Sequence, residues 1–111
     1  MRRVVITGFS AVCANASDKE QLERLCGEGL VGLKECRVFS TEGLLTDKFG
    51  YADISAEDRT KELIRIAGEQ MLADAGVDKE YISAMGRACR MFYGTLMSSA
   101  PYYIKNSENN A

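Results

Sequence analysis

One long amphipathic segment and several short apolar runs organise the chain. The strongest periodic pattern lies between residues 56 and 75. Apolar residues recur there at three- and four-residue spacing: Leu63, Ile64, Ala67, Met71 and Ala75. Residues at this spacing share one face of an α-helix, so the pattern predicts a helix over 56–75 with a buried stripe.

The ends and the outer face of this helix are also marked in the sequence. Ser55, with Asp58 three residues later, is typical of a helix start. Gly76 is the expected left-handed stop. Asp58, Glu62 and Arg65 are spaced to form ion pairs along the solvent face. The sequence therefore predicts a self-contained, well-capped helix.

Two further helices are predicted on either side of it. Ser17 and Glu20 have capping-box spacing and predict a helix that continues to Glu28. Its inward face would consist of Leu22, Leu25 and Cys26. Gly27 and Gly29 would end it. A shorter helix or turn is expected over 78–84.

Strand signals are shorter and weaker. Val4-Val5-Ile6 is a continuous apolar run, which favours a strand covered on both faces of an α/β sheet. Phe49 and Tyr51 alternate across Gly50 and predict a second strand. Weaker candidates are a strand at Val38-Phe39, a turn at Thr41-Glu42-Gly43, a strand over 88–95, and a last helix with Pro101 in its first turn. This order of strands and helices favours the α/β class.

The composition is that of a globular protein and does not indicate a specific function. The chain has 111 residues, which suits one domain or part of one, and 46% of them are hydrophobic. A net charge of −2 does not favour nucleic-acid binding. No apolar run approaches the roughly 20 residues that cross a bilayer, and the start lacks the core of a signal peptide. We expect a cytoplasmic protein with no nucleic-acid or membrane partner.

Cofactor and metal motifs are missing from the sequence. Gly8 follows the first predicted strand, but Ser10 stands where a dinucleotide fingerprint needs its second glycine. The four cysteines lie at positions 13, 26, 36 and 89 without a Cys-x-x-Cys pair, and there is no histidine. We therefore expect no cofactor and no metal, and free thiols of which several are buried.

The remaining candidate chemistry favours packing over catalysis. Cys13 lies in the loop after the first predicted strand, but a cysteine nucleophile needs a base or a cation to hold its thiolate. Without histidine, a packing role is favoured. Four methionines are predicted to fill the core: Met71, Met85, Met91 and Met97. The sequence itself predicts no catalytic residue.

Five short motifs, in order, carry a resemblance to a known family. They are Arg2-Arg3-Val4-Val5-Ile6-Thr7-Gly8, the pair Gly29 and Gly32, Asp58-Arg59, Leu72-Ala73-Asp74-Ala75-Gly76, and Tyr93-Gly94-Thr95. Together they resemble the N-terminal part of β-ketoacyl-(acyl-carrier-protein) synthases, which are condensing enzymes of the thiolase fold. The resemblance implies that residues 1–111 are one partial domain. It would supply the early strands and helices of a five-stranded mixed sheet, in an incomplete α/β/α sandwich.

The resemblance also implies a chemistry. In the family, a cysteine accepts an acyl group from a carrier protein, and two histidines assist decarboxylation of malonyl-carrier protein. The resulting carbanion then attacks the acyl-enzyme. These three residues follow the matched stretch, so the chain alone should be inactive. Met97 and Ser98 fall where the family has an apolar pocket wall, and they are the candidate acyl-pocket residues.

Several positions depart from the family's pattern. Ser10 and Ala14 replace a glycine and a proline, and 96–100 replaces a glycine-rich loop. No basic residue at 54–56 matches those that some members use to dock acyl carrier protein. A non-catalytic ketosynthase-like interaction module, or a small α/β binding domain, thus stays open as an alternative. Because the sheet would be unfinished, we also expect self-association or a completing chain.

Overall fold

Local sequence produces helices more readily than strands in this molecule. The computed structural model describes residues 1–95, which form two compact units. The first unit comprises Met1–Phe9 together with the chain from Ile54 onward. The second unit is Ser10–Asp53. The elements, in chain order, are α1 (Lys19–Glu28), β1 (Leu33–Glu35), β2 (Lys48–Gly50), α2 (Arg59–Ala75), α3 (Lys79–Met85) and a 3₁₀ turn (Gly86–Ala88).

Helix α2 confirms the main periodic prediction, with a later start. Its N-cap is Asp58, whose side chain accepts a hydrogen bond from the backbone N–H of Lys61 at 3.1 Å. Gly76 ends the helix in the left-handed conformation, with φ of 68°. Ser55 does not start the helix, because the Asp58 carboxylate satisfies a free N–H of the first turn.

Ion pairs on the outer face of α2 also agree with the predicted spacing. The Arg65 guanidinium lies 2.5 Å from a carboxylate oxygen of Glu62 and 2.7 Å from one of Glu69. Glu69 also receives Lys79 of α3, at 2.8 Å. Asp58 caps the helix and is not part of this series of ion pairs. The series comprises Glu62, Arg65, Glu69 and Lys79. It links α2 to the start of α3.

Helix α1 starts one residue later than the capping-box prediction. Asp18, not Ser17, is the N-cap, and it accepts from the backbone N–H of Gln21 at 2.8 Å. The Gln21 side chain in turn accepts from the backbone N–H of Ser17 at 3.1 Å. This reciprocal pair resembles a capping box shifted by one position. Gly29 ends α1 in the left-handed conformation, as predicted.

The second unit contains a two-stranded antiparallel ribbon of β1 and β2. Lys34 is opposite Phe49, which confirms the strand predicted at that position. The prediction of a strand at Val38-Phe39 is wrong, because the chain bends there and the Phe39 ring packs edge-on against Phe49 at 5.2 Å. Strand β1 gave no clear alternating signal. The turn at 41–43 is confirmed by a 3.0 Å hydrogen bond from Leu44 N–H to the Thr41 carbonyl.

Two predicted strands in the first unit are wrong. Val4-Val5-Ile6 and the stretch 88–95 lie outside any strand. A strand is stabilised by hydrogen bonds and side-chain contacts to a neighbour, and the described part of this unit contains no strand to pair with. Helices and a small antiparallel ribbon are therefore the observed elements, which is compatible with the α/β class.

Burial is much lower than the sequence predicted. Within residues 1–95, Ala16 is the one buried hydrophobic residue. Leu22 and Leu25 of α1 are half-buried, whereas Cys26 is exposed. Most of the α2 stripe is half-buried as well. The methionine prediction is wrong for the three described positions, since Met71, Met85 and Met91 are all exposed. The prediction of buried thiols is wrong too, since no cysteine is buried. The two-stranded ribbon is the one sheet of residues 1–95, and so small a sheet covers little apolar surface.

Candidate functional site

Residues 8 and 9 lie in close contact with the C-terminal turn of α2, within the first unit. A Cβ atom on Gly8 would lie 2.6 Å from the Ala75 nitrogen, 2.7 Å from the Ala75 Cβ and 2.7 Å from the Met71 carbonyl oxygen. Such distances are too short for any side chain, so only glycine fits. We call this contact of residues 8 and 9 with 71–75 the α2 joint.

A side chain fixes the joint from the helix side. The Asp74 carboxylate accepts a 3.0 Å hydrogen bond from the backbone N–H of Phe9. Gly76 follows immediately and ends the helix. Thus one short helical sequence supplies the small residue that admits Gly8, the acceptor for Phe9 and the stop signal. The role of residues 74–76 is therefore structural, because all three residues hold the backbone in position.

Cys13 lies in a tight turn in the second unit. Its backbone exchanges two hydrogen bonds with Ala16, at 2.9 and 3.2 Å, and Asn15 between them has a φ of 61°. The Cys13 thiol is half-buried and donates to the Ala14 carbonyl at 3.9 Å. A nucleophilic thiolate would need a base or a cation in this place, whereas the contact of the thiol is with a carbonyl oxygen. The packing interpretation of Cys13 is the one its contacts favour.

The start of α2 borders a shallow cleft of about 460 Å³. Its charged lining consists of three carboxylates and two cations: Glu57, Asp58, Glu62, Lys61 and Arg65. The Arg65 cation is held by Glu62 and Glu69, and Asp58 is committed to capping. The cleft therefore offers no excess positive charge to an acidic ligand. This agrees with the absence of basic residues at 54–56.

Two carboxylates of α2, those of Glu62 and Glu69, have a lowered pKa. The hydrogen bond from Arg65 lowers the pKa of Glu62 from the ordinary glutamate value of 4.5. Lys79 is the main cause of the lowered pKa of Glu69, with Arg65 adding to it. The same contacts raise the pKa of Arg65, chiefly through Glu62. Glu62 and Glu69 therefore stay ionised near neutral pH, where they form ion pairs with Arg65 and Lys79. Carboxylates with a lowered pKa are poorly suited to proton transfer at that pH.

A polar cluster in the second unit was missed by the sequence reasoning. The Lys34 ammonium lies 4.5 Å from the centre of the Tyr51 ring and 2.5 Å from an Asp53 oxygen. The Tyr51 hydroxyl donates to the Glu35 carbonyl at 2.8 Å. Lys34 faces Phe49 in the ribbon, so Tyr51 is its diagonal neighbour. Only the pairing register reveals this contact, and it ties β1 to the chain after β2.

The proposed acyl-pocket residues Met97 and Ser98 lie outside the described residues. Within 1–95, no group of three metal-ligating side chains comes together, and no helix is both long and apolar enough to span a bilayer. Tyr93 and Gly94, from the last family motif, are exposed. The structure thus brings together the first and fourth motifs at the α2 joint and no catalytic set among the described positions.

Comparison of the chain with models of known protein families, with curated proteins and with solved structures found no match.

Proposed function

We propose that this chain is the N-terminal segment of an acyltransferase similar to β-ketoacyl-(acyl-carrier-protein) synthases. The observation that carries the proposal is the order of five motifs along nearly the whole sequence, from Arg2-to-Gly8 through Tyr93-Gly94-Thr95. Each motif is short, and chance could produce any one of them. Their common order and spacing are what support the family.

The α2 joint gives two of these motifs a shared physical reason. Gly8 ends the first motif, and Ala75 is the fourth residue of the Leu72-to-Gly76 motif. They contact each other so closely that position 8 accepts no side chain. A contact of this kind favours joint retention of both motifs. It is neutral about the chemistry.

The third motif also has local structural work to do. Asp58 caps α2, and the Arg59 guanidinium donates to the Ile54 carbonyl. Asp58 therefore binds the first turn of α2, and Arg59 binds the chain that precedes the helix. Together they fix the path of the chain into α2. Scaffold roles of this type are what an N-terminal segment would contribute to a larger active site.

The proposed activity belongs to the complete protein. A cysteine thiolate would attack the thioester carbonyl of an acyl-carrier protein and release the carrier thiol. Malonyl-carrier protein would lose carbon dioxide, and its carbanion would displace the cysteine from the acyl group, with two histidines stabilising the developing charge. The segment would be cytoplasmic and without cofactor. Its sheet would reach five strands only with chain beyond Ala111.

A second function is favoured by specific departures from the family. The cleft at the start of α2 has more carboxylates than cations, and 54–56 is not basic. An acidic carrier protein is therefore poorly matched to this surface. A non-catalytic ketosynthase-like module, which associates with itself or with a completing chain, accounts for these features.

The gene sequence after the Ala111 codon tests the first proposal. We expect an open reading frame that supplies a cysteine at a strand-to-helix turn and two later histidines. An immediate stop codon would contradict the segment hypothesis and favour the non-catalytic module.

Intact-mass measurement tests whether the nucleophilic cysteine lies outside residues 1–111, as we propose. We expect the purified 111-residue chain, mixed with acyl-carrier protein, to gain no acyl mass. A Cys13→Ser variant is the control for adventitious thiol acylation. Rapid acylation of the wild-type chain that disappears in this variant would place the nucleophile in this chain after all.

A further inference from the structure

We propose that α3 opens from α2 and unfolds as one unit while α2 stays folded, and that the ion pair of Lys79 with Glu69 is the contact that keeps α3 closed. We call this ion pair the α3 latch. The opening is a property of the first unit and does not depend on the chemistry of the complete protein.

Helix α3 is too short to be stable by itself. It has seven residues, Lys79–Met85, which form about two turns. Isolated helices shorter than about 12–15 residues are marginal in water. The Asp78 cap, which accepts a 2.7 Å hydrogen bond from the backbone N–H of Tyr81, satisfies only one of the free N–H groups at its start. The helix therefore depends on contacts with the rest of the first unit.

Burial holds α3 less firmly than α2. Ile82 is half-buried, whereas the other six residues of α3 are exposed, including Tyr81 at 57% and Met85 at 39%. Most of the apolar stripe of the 17-residue α2 is half-buried. Stabilisation by burial grows with the apolar area removed from water, so α3 has the lower local stability of the two helices.

The α3 latch reaches from the first residue of α3 to the middle of α2. The Lys79 ammonium donates to Oε1 of Glu69 at 2.8 Å. The other oxygen of Glu69, Oε2, accepts from Arg65 at 2.7 Å. Arg65 thus holds the Glu69 carboxylate from within α2, which leaves the first oxygen directed at Lys79. An ionic contact between two helices is formed in this way on a carboxylate that one helix already orients.

The turn between the helices lets α3 leave without disturbing α2. Gly76 ends α2 in the left-handed conformation, and the Val77 N–H donates to the Leu72 carbonyl at 3.0 Å. These bonds complete the C-terminal cap of α2 before Lys79 is reached. The end of α2 therefore requires no residue of α3, and opening of α3 leaves the cap in place.

Opening changes how far the chain extends beyond α2. Seven residues span about 10 Å as a helix and about 23 Å when extended. Unfolding of α3 thus gives the chain that follows it roughly 13 Å of additional reach. Because the latch is exposed and ionic, salt weakens it, and the ionic strength controls how often α3 opens.

Residue-resolved amide hydrogen exchange of the 111-residue chain tests the opening. In the wild type we expect measurable protection at 82–85, with exchange at least about tenfold faster than at 64–68 in α2. Equal protection in the two helices, or no protection at 82–85, overturns the proposal.

Charge-removing variants test the latch. We expect Glu69→Gln and Lys79→Gln each to accelerate exchange at 82–85 by about two- to fivefold, the range typical of an exposed ion pair. The double variant should exchange no faster than the faster single variant, because both changes break the same contact. Glu62→Gln is the matched control, since it removes a carboxylate from Arg65 but leaves Lys79 on Glu69. Acceleration at 82–85 by Glu62→Gln as large as that by Glu69→Gln overturns the latch.

Salt provides the second test. Raising sodium chloride from about 0.05 M to about 1 M shortens the screening length to about 3 Å. It should accelerate exchange at 82–85 about two- to fivefold in the wild type and leave the Glu69→Gln/Lys79→Gln double variant unchanged. An equal response of the two proteins to salt would overturn the ionic latch. Unchanged exchange at 64–68 verifies that α2 stays folded, and its acceleration in parallel with 82–85 would overturn separate opening.

Discussion

The first nine residues have two contrasting ends. At Gly8 and Phe9 the backbone is held on α2 by a close contact and a hydrogen bond. At Val4, Val5 and Ile6 the chain is exposed, although these side chains are the most apolar of the segment. Hydrophobicity alone has therefore not produced structure here. A residue without a side chain is better fixed than three with large ones, because it fits a specific neighbour.

Gly8→Ala should have the largest effect on stability, because it disrupts the close contact that holds residues 8 and 9 on α2. The new Cβ would overlap backbone atoms of Ala75 and Met71, which a helix cannot easily move. We expect the free energy of unfolding to fall by about 1–3 kcal/mol. Urea denaturation followed by circular dichroism at 222 nm measures it.

Gly68→Ala is the matched control for that substitution. It also adds one methyl group, but in the middle of α2, where a Cβ atom would have no neighbour within 4 Å beyond the helix itself. It should raise stability by about 0.5–1 kcal/mol, because alanine favours helix over glycine. Equal destabilisation by both changes would show that the α2 joint has no special importance.

Asp74→Ala should have the next largest effect. It removes the acceptor of the Phe9 N–H, and an exposed hydrogen bond of this kind contributes about 0.5–1.5 kcal/mol. Asp74→Asn keeps a side-chain oxygen and should lose less. Amide hydrogen exchange at Phe9 provides the specific readout. Unaltered protection of that amide in Asp74→Ala would mean that the hydrogen bond does not hold the fixed end.

The smallest effect should come from the ion pairs of α2, which are solvent-exposed. Because Glu62 and Glu69 have a lowered pKa in the folded state, their contribution is present above the ordinary value of 4.5 and is lost as pH falls below it. Water and salt screen such pairs. The close contact of Gly8 with α2 involves no titratable group, so we expect it to persist at acidic pH.

A double variant, Glu62→Gln with Glu69→Gln, measures this contribution. It should flatten the loss of melting temperature as the pH falls from neutral to below the ordinary glutamate value of 4.5, because the wild type loses these ion pairs when both carboxylates become protonated. Glu23→Gln in α1 is the control, since Glu23 makes no ion pair among the described residues. If the double variant retains the full pH dependence of the wild type, the acid sensitivity has another source.

Helix ends were predictable because their chemistry is local. Gly76 and Gly29 were predicted as stops and act within one turn of their own positions. The errors at the starts of both helices also arise locally. Ser17 and Asp18 are both good caps for α1, as are Ser55 and Asp58 for α2, and the sequence does not rank them.

Strands and burial were not predictable in the same way, because they depend on a neighbour. Val4-Val5-Ile6 has the composition of a buried strand, but a partner strand must be present for it to form one. Lys34 and Tyr51 meet only through the register of β1 and β2. For the candidate acyl pocket, Met97 and Ser98 remain predictions from the resemblance alone.

The α2 joint also restricts how this sequence can change over evolutionary time. A methyl group at position 8 would collide with three atoms, of which only one, the Ala75 Cβ, belongs to a side chain. Ala75→Gly would remove that atom and leave the nitrogen of residue 75 and the carbonyl oxygen of residue 71 in place. No exchange of side chains on α2 can therefore compensate for a larger residue at position 8. Lineages that keep this contact must therefore keep the glycine at position 8.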